Sequence, residues 1–199
     1  MKKHENCFHL VALLKACAKN KDLHIGEKLH VDIAKCGLIN KSPYLANALI
    51  NMYSKCGLLA AAEETFDRIV NRDVISWNAC ISGYAREGDC ETCLEMLQSM
   101  VMEGSILNQV TFLSILFVCS HGGMVDTAIV SIDAMRRDHA ILPDTKHYII
   151  FMDLLARIGD FTKVKDIMKK MQIQYNHQPL WSSLLGACIK HSNLELGTE

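Results

Sequence analysis

The sequence predicts an all-α chain, a right-handed superhelical solenoid of stacked antiparallel helical hairpins. Three observations carry that expectation. Strong helix formers run throughout, and 199 residues contain only three prolines, where a β sandwich would be punctuated far more often. Glycines recur at one register. The segments Asn47-Ala48-Leu49-Ile50-Asn51-Met52-Tyr53-Ser54-Lys55-Cys56-Gly57 and Asn78-Ala79-Cys80-Ile81-Ser82-Gly83-Tyr84-Ala85-Arg86-Glu87-Gly88 repeat one pattern 31 residues apart.

Extending the match divides the chain. A polar leader (1–6) precedes units at 7–42, 43–73, 74–108, 109–144 and 145–177, and a partial unit occupies 178–199. The complete units are 36, 31, 35, 36 and 33 residues long, and Gly57, Gly88, Gly123 and Gly159 each stand fifteenth in their units. The fourth position reads Leu10, Ala46, Trp77, Phe112, Tyr148, Trp181; the eleventh reads Cys17, Tyr53, Tyr84, Cys119, Leu155, Cys188. With apolar seventh and eighth positions, these form the i, i+3, i+4, i+7 stripe of a helix. A second helix follows each glycine, as over 60–69 and 91–103, often closed by another glycine such as Gly37 or Gly104. One hairpin cannot bury both apolar faces, so neighbours stack and leave a concave surface.

Composition bounds the function. Half the residues are hydrophobic and 22% are charged, enough for a sizeable core, and the net charge of −1 argues against a general nucleic-acid coat without excluding a base-reading groove. The nine cysteines lie along apolar faces behind no secretory or organelle-targeting segment, and are expected to be reduced, buried hydrophobes. The longest apolar runs fall short of a membrane span. Cys90 and Cys93 form the single Cys-x-x-Cys, without the second pair a structural zinc requires, so no metal and no cofactor is expected. The chain carries no phosphate loop, nucleophile elbow or zinc deaminase signature, and is read as not an enzyme. Lys163, Lys165, Lys169 and Lys170 read as a solvated helix face, with phosphate contact as the lesser alternative.

The run 44–57 and the following Asp73-Val74-Ile75-Ser76-Trp77-Asn78-Ala79 resemble plant pentatricopeptide repeats, over nearly the whole chain. The unit lengths resemble the plant subclass that alternates long, short and standard repeats. Leu13-Leu14-Lys15-Ala16-Cys17 and the run 113–121 look like its long repeats, making 7–42 and 109–144 long, 43–73 and 145–177 short, and 74–108 standard. The segment 181–188 resembles the start of the extension that follows the last repeat.

The resemblance implies sequence-selective binding of single-stranded RNA, one base per repeat, selected by the fifth and last residues. Carried over, it pairs Asn47 with Asp73, favouring uracil, and Asn78 with Asn108, favouring cytosine or uracil. Tyr44, Ile75 and Val110, at second positions, would stack on bases. Val11 with Ser42 and Leu113 with Asp144 are weaker candidates, because a branched hydrocarbon cannot hydrogen-bond a base. Ile149 and Ser182 give no reading, and the last position of the 33-residue unit falls on either Asn176 or His177. The alternative for Asn47 and Asn78 is that they are ordinary polar residues of a first helical turn; asparagine is a poor helix former, so its recurrence at one register favours a base contact. Trp77 and Trp181 share a row with Leu10 and Phe112 and are expected in the core.

The expected role is a specificity factor on mitochondrial or chloroplast transcripts, in processing such as cytidine-to-uridine editing, with an editing enzyme or other accessory protein in trans. Two decoded bases supply roughly 1–3 kcal/mol of discrimination each, too little to single out one transcript. The chain therefore reads as part of a longer array, or as a homodimer. The rival is a peptide-binding scaffold of the tetratricopeptide kind, which also uses a concave groove.

Overall fold

The computed structural model describes residues 2–171. The expected partial unit 178–199, with Trp181, Ser182 and Cys188, lies outside them, as do Asn176 and His177. Ten α-helices make up the described residues: α1 (Lys2–Asn20), α2 (Leu23–Lys35), α3 (Pro43–Lys55), α4 (Leu59–Asp67), α5 (Val74–Glu87), α6 (Cys90–Met102), α7 (Gln109–Gly122), α8 (Val125–Arg137), α9 (Thr145–Ile158) and α10 (Phe161–Met171). From Lys2 on, the polar leader expected at 1–6 is the first part of α1 rather than a separate segment.

The chain forms two compact bodies, one ending at Leu107 and the other starting at Asn108. In the first, α1 packs on α3 and α3 on α5, while α2, α4 and α6 pack each on its own hairpin partner. In the second, α7 packs on α9, with α8 and α10 against their partners. Leu45, Leu49, Ile50 and Met52 of α3 are fully buried, as its place between α1 and α5 requires. The fourth-position row is buried at Ala46, Trp77 and Phe112 and half-buried at Leu10 and Tyr148, whereas the eleventh is buried from Cys17 to Leu155.

Helix ends follow local chemistry. Asp73, Asn108 and Asp144 each cap the helix that follows, accepting backbone N–H bonds at 2.7–3.2 Å, which satisfies donors the first helical turn leaves open. Gly88, Gly123 and Gly159 close α5, α7 and α9 at φ of +77°, +66° and +83°, a left-handed conformation in which a side chain is strained.

Gly83 has a different task. A Cβ there would stand 2.9 Å from Ser54 Oγ on α3 and 3.0 Å from Leu59 Cδ2 on α4, so any side chain at position 83 would make these neighbours shift. Ser54 Oγ also donates to the Ala79 carbonyl at 3.3 Å across the same contact. Gly83→Leu is expected to cost about 1–3 kcal/mol through overpacking, read as a lower urea midpoint. An unchanged midpoint would show that these neighbours shift without penalty.

The cysteines correct the expectation of uniform burial. Cys17, Cys80, Cys93 and Cys119 are buried, but Cys7, Cys56 and Cys90 are half-buried and Cys36 is exposed; all eight described are free thiols. Cys36 follows the last residue of α2, where the chain turns out of the hairpin and no neighbour covers it. Burial, with the charges of Glu63 and Asp67, pushes the Cys80 thiol up to about 12. Brief maleimide treatment followed by peptide mapping should label Cys36 fully and Cys80 not at all without denaturant. Labelling of Cys80 at a comparable rate would contradict this packing.

Candidate functional site

The second residue of each repeat unit is exposed. Phe8 on α1, Tyr44 on α3 and Ile75 on α5 are 75%, 73% and 56% accessible, and Val110 in the second body is 47%. Within the first body these residues sit at one register on three successively packed helices. Apolar side chains left in water along one line are unusual for a core-forming pattern and mark a contact surface. Phe8 was missed in the sequence, although it follows Cys7 as Tyr44 follows Pro43. The register of the first unit was the signal that could have found it.

Between Phe8 and Tyr44 lies a mostly apolar cleft of about 300 Å³. Val11 and Ser42, the weaker base-reading candidates of the first unit, line it together with Lys41 and Pro43. Ser42 precedes α3 but makes no side-chain cap bond. The cleft therefore offers two aromatic walls and a hydrocarbon floor, suited to stacking rather than to hydrogen-bond readout.

The fifth-position asparagines are buried. Asn47 is 9% and Asn78 6% exposed. Asn47 Nδ2 donates to Asp73 Oδ1 at 3.2 Å and Oδ2 at 3.3 Å. Because a carboxylate only accepts, this contact fixes which way the amide faces. Asn47 Oδ1 is left buried and without a hydrogen-bond partner. An unmet buried acceptor costs about 1–3 kcal/mol, a deficit that an incoming N–H would remove.

Asp73 is held on its other side by the capping box of α5. Its Oδ1 accepts from Ser76 N at 2.7 Å, and Ser76 Oγ accepts from Asp73 N at 3.0 Å. The structure thus brings Asn47 and Asp73 together across the α3–α5 contact. Asn78 belongs to the first body and Asn108 to the second, where Asn108 Oδ1 accepts from Val110 N at 3.0 Å and Thr111 N at 3.1 Å. Leu113 is half-buried on α7. Asp144, 44% exposed at its side chain, caps α9 and lies 2.6 Å from His147 Nδ1. Lys163 on α10 pairs with Asp160 at 2.8 Å, and that partner raises its pKa.

Among the described residues no group of three or more His, Cys, Asp or Glu is placed to hold a metal ion, and no helix is long and apolar enough to cross a membrane.

The PPR repeat family description matches residues 44–74 and 75–105, the stretches that hold Asn47 and Asn78. Chloroplastic pentatricopeptide repeat-containing proteins of Arabidopsis thaliana are 35% identical over 96% of the chain and 38% identical over 96%, the chain spanning 22% of each. A mitochondrial one of the same organism is 34% identical over 94% of the chain and 26% of itself. The chain belongs to the pentatricopeptide repeat family. It spans about a quarter of the length of these relatives. Among solved structures, maize pentatricopeptide repeat protein PPR10 in complex with an 18-nt psaJ RNA element superposes with a TM-score of 0.76 at 16% identity, over 94% of this chain and 28% of that one. The PPR domain of Arabidopsis thaliana protein-only RNase P 1, in complex with tRNA, gives 0.63 at 16% identity over 88% and 95%. At that identity they establish the repeat fold, shared by a helical-hairpin chain with the glycine and apolar rows described above.

Proposed function

We propose that this pentatricopeptide repeat chain binds single-stranded RNA one nucleotide per repeat, as part of an address read on an organelle transcript. The observation that carries the proposal is the pairing of exposed second-position side chains with the buried Asn47–Asp73 couple. Phe8, Tyr44 and Ile75 offer stacking surfaces worth roughly 1–3 kcal/mol per base. Asn47, its amide turned by Asp73, offers an acceptor to a base that presents an N–H. Uracil N3–H meets that need. By the resemblance, Asn78 as fifth residue and Asn108 as last residue of the repeat 74–108 favour cytosine or uracil, and Val110, second residue of the repeat 109–144, offers a further stacking surface. The couples Val11/Ser42 and Leu113/Asp144 contribute spacing and stacking with little selection.

Several supports are external to the chain. PPR10 was solved with an RNA element, and the relatives are chloroplastic or mitochondrial. The unit lengths fit the subclass of long, short and standard repeats. A specificity factor for processing such as cytidine-to-uridine editing follows from that subclass, the catalytic step being supplied by another protein.

Selection from a random RNA pool tests the proposal. Enrichment of single strands with adjacent pyrimidines is the expected result. Recovery of no RNA at all would move the peptide-groove reading ahead.

A further inference from the structure

The repeat 109–144 treats its last residue differently from the repeat 43–73. Asp73 is gripped by Asn47, the fifth residue of its own repeat, while Ser76, third in the next helix, engages only the Asp73 backbone with its hydroxyl. The fifth residue of 109–144 is Leu113, which has nothing to donate. Asp144 finds its partner elsewhere.

His147, third residue of α9, is fully buried. Its Nδ1 lies 2.6 Å from Asp144 Oδ1, and its Nε2 3.0 Å from the carbonyl oxygen of Gln109. Nδ1 also lies 3.2 Å from the Asp144 N–H, so this edge of the ring meets both the side chain and the backbone of Asp144. Gln109 is the first residue of this repeat and Asp144 the last. One imidazole therefore ties the two ends of the repeat together, at the place where Asp73 instead meets a short hydroxyl. Thr111, at the third position after Asn108, reaches the Asn108 amide oxygen at 3.2 Å, a longer bond to a neutral group.

We infer that His147 is a positioning residue that takes the Asp144 carboxylate away from the fifth position, so that the repeat 109–144 measures distance instead of reading a base. This rests on the base-reading proposed above. The third residue of a helix, outside the fifth-and-last pair, thereby decides whether the preceding last residue, which caps the helix in either case, is also bound by a side chain of that helix. Burial pushes the Asp144 carboxyl up, but the hydrogen bond from His147 and those from the His147 and Lys146 backbone outweigh it and hold the carboxyl below its ordinary value.

Two measurements on the full chain test the inference. In the first, Leu113→Asn is made alone and together with His147→Ser, which restores the hydroxyl found at Ser76. Binding is measured to RNAs varied at the nucleotide facing this repeat, located by scanning single substitutions through the RNA enriched from the pool. Leu113→Asn alone should leave preference between bases within about threefold, whereas the pair should raise preference for uracil over purines by roughly tenfold. Equal gains in the single and double variants would overturn the inference.

In the second, carbon-13 carboxyl resonances of the RNA-free protein are followed with pH. His147→Ser should move the Asp144 titration upward, toward an ordinary aspartate. No movement would overturn the clamp whatever the RNA data show. Should the unaltered protein bind no RNA while Asp144 still shifts, the base-reading proposal fails and the specificity role fails with it, leaving the clamp as a structural fact. Uniform weakening for all bases in His147→Ser, without gain in the double variant, would reduce His147 to an ordinary cap.

Discussion

Trp77→Ala should cost the first body about 3–5 kcal/mol, the range for emptying a large aromatic site in a packed core. Trp77 is 2% exposed and meets the Phe66 ring edge-on at 4.7 Å between centroids. The Arg72 guanidinium lies 4.5 Å over Phe66 and 5.7 Å from Trp77 while pairing with Asp67 at 3.0 Å and Glu103 at 2.8 Å. The indole thus joins α4, α5 and the end of α6 through one stack. Its own Nε1 is buried with no partner, so Trp77→Phe removes an unmet donor along with some volume and should cost only about 1–2 kcal/mol. Hydrogen exchange distinguishes the two variants. Amides of α3 and α5 should lose protection by several kcal/mol in Trp77→Ala and by much less in Trp77→Phe. Equal losses would mean that the indole itself governs this site, and not the volume and ring contact that phenylalanine retains.

Trp77 was legible in the sequence because its row is a row of core residues. The hairpins were legible for the same reason: apolar period and glycine register are local properties, fixed by the helix and by the φ that glycine permits. Other features were not local. The burial of Asn47 depends on where α5 lies relative to α3, a contact made by residues distant in sequence such as Gly83 and Ser54. The exposure of Cys36 depends on what fails to cover it. The joining of His147 to Gln109 links positions 38 apart. His147 carries no periodic mark, since a capping position takes serine, threonine or histidine alike at the level of pattern. Sequence spacing indicated which residues share a register; it could not reveal which of them had already spent their hydrogen bonds on each other.

The Asn47–Asp73 couple turns that distinction into an expected result at the bound RNA. Asp73 holds Nδ2 of the amide, so the atom left for the base is the acceptor Oδ1. In Asp73→Asn the last residue can both donate and accept, the Asn47 amide is free to turn over, and the base can meet either an oxygen or an NH₂ group. Preference for uracil should then relax toward cytosine or uracil, the pattern proposed for Asn78 and Asn108. Asn47→Ala removes the group itself and should abolish discrimination at that nucleotide, roughly 1–3 kcal/mol or about tenfold to a hundredfold between matched and mismatched RNA. The double variant Asn47→Ala/Asp73→Asn should be no worse than Asn47→Ala alone, because Asp73 acts on the base through the amide. Additive losses would mean that Asp73 contacts the base independently. Asp73 also caps α5, and asparagine is as good a cap as aspartate, so stability should change little while specificity changes. That separation makes the experiment decisive: a purely structural couple would alter affinity for every RNA equally, whereas a reading couple alters the ranking of bases at one nucleotide.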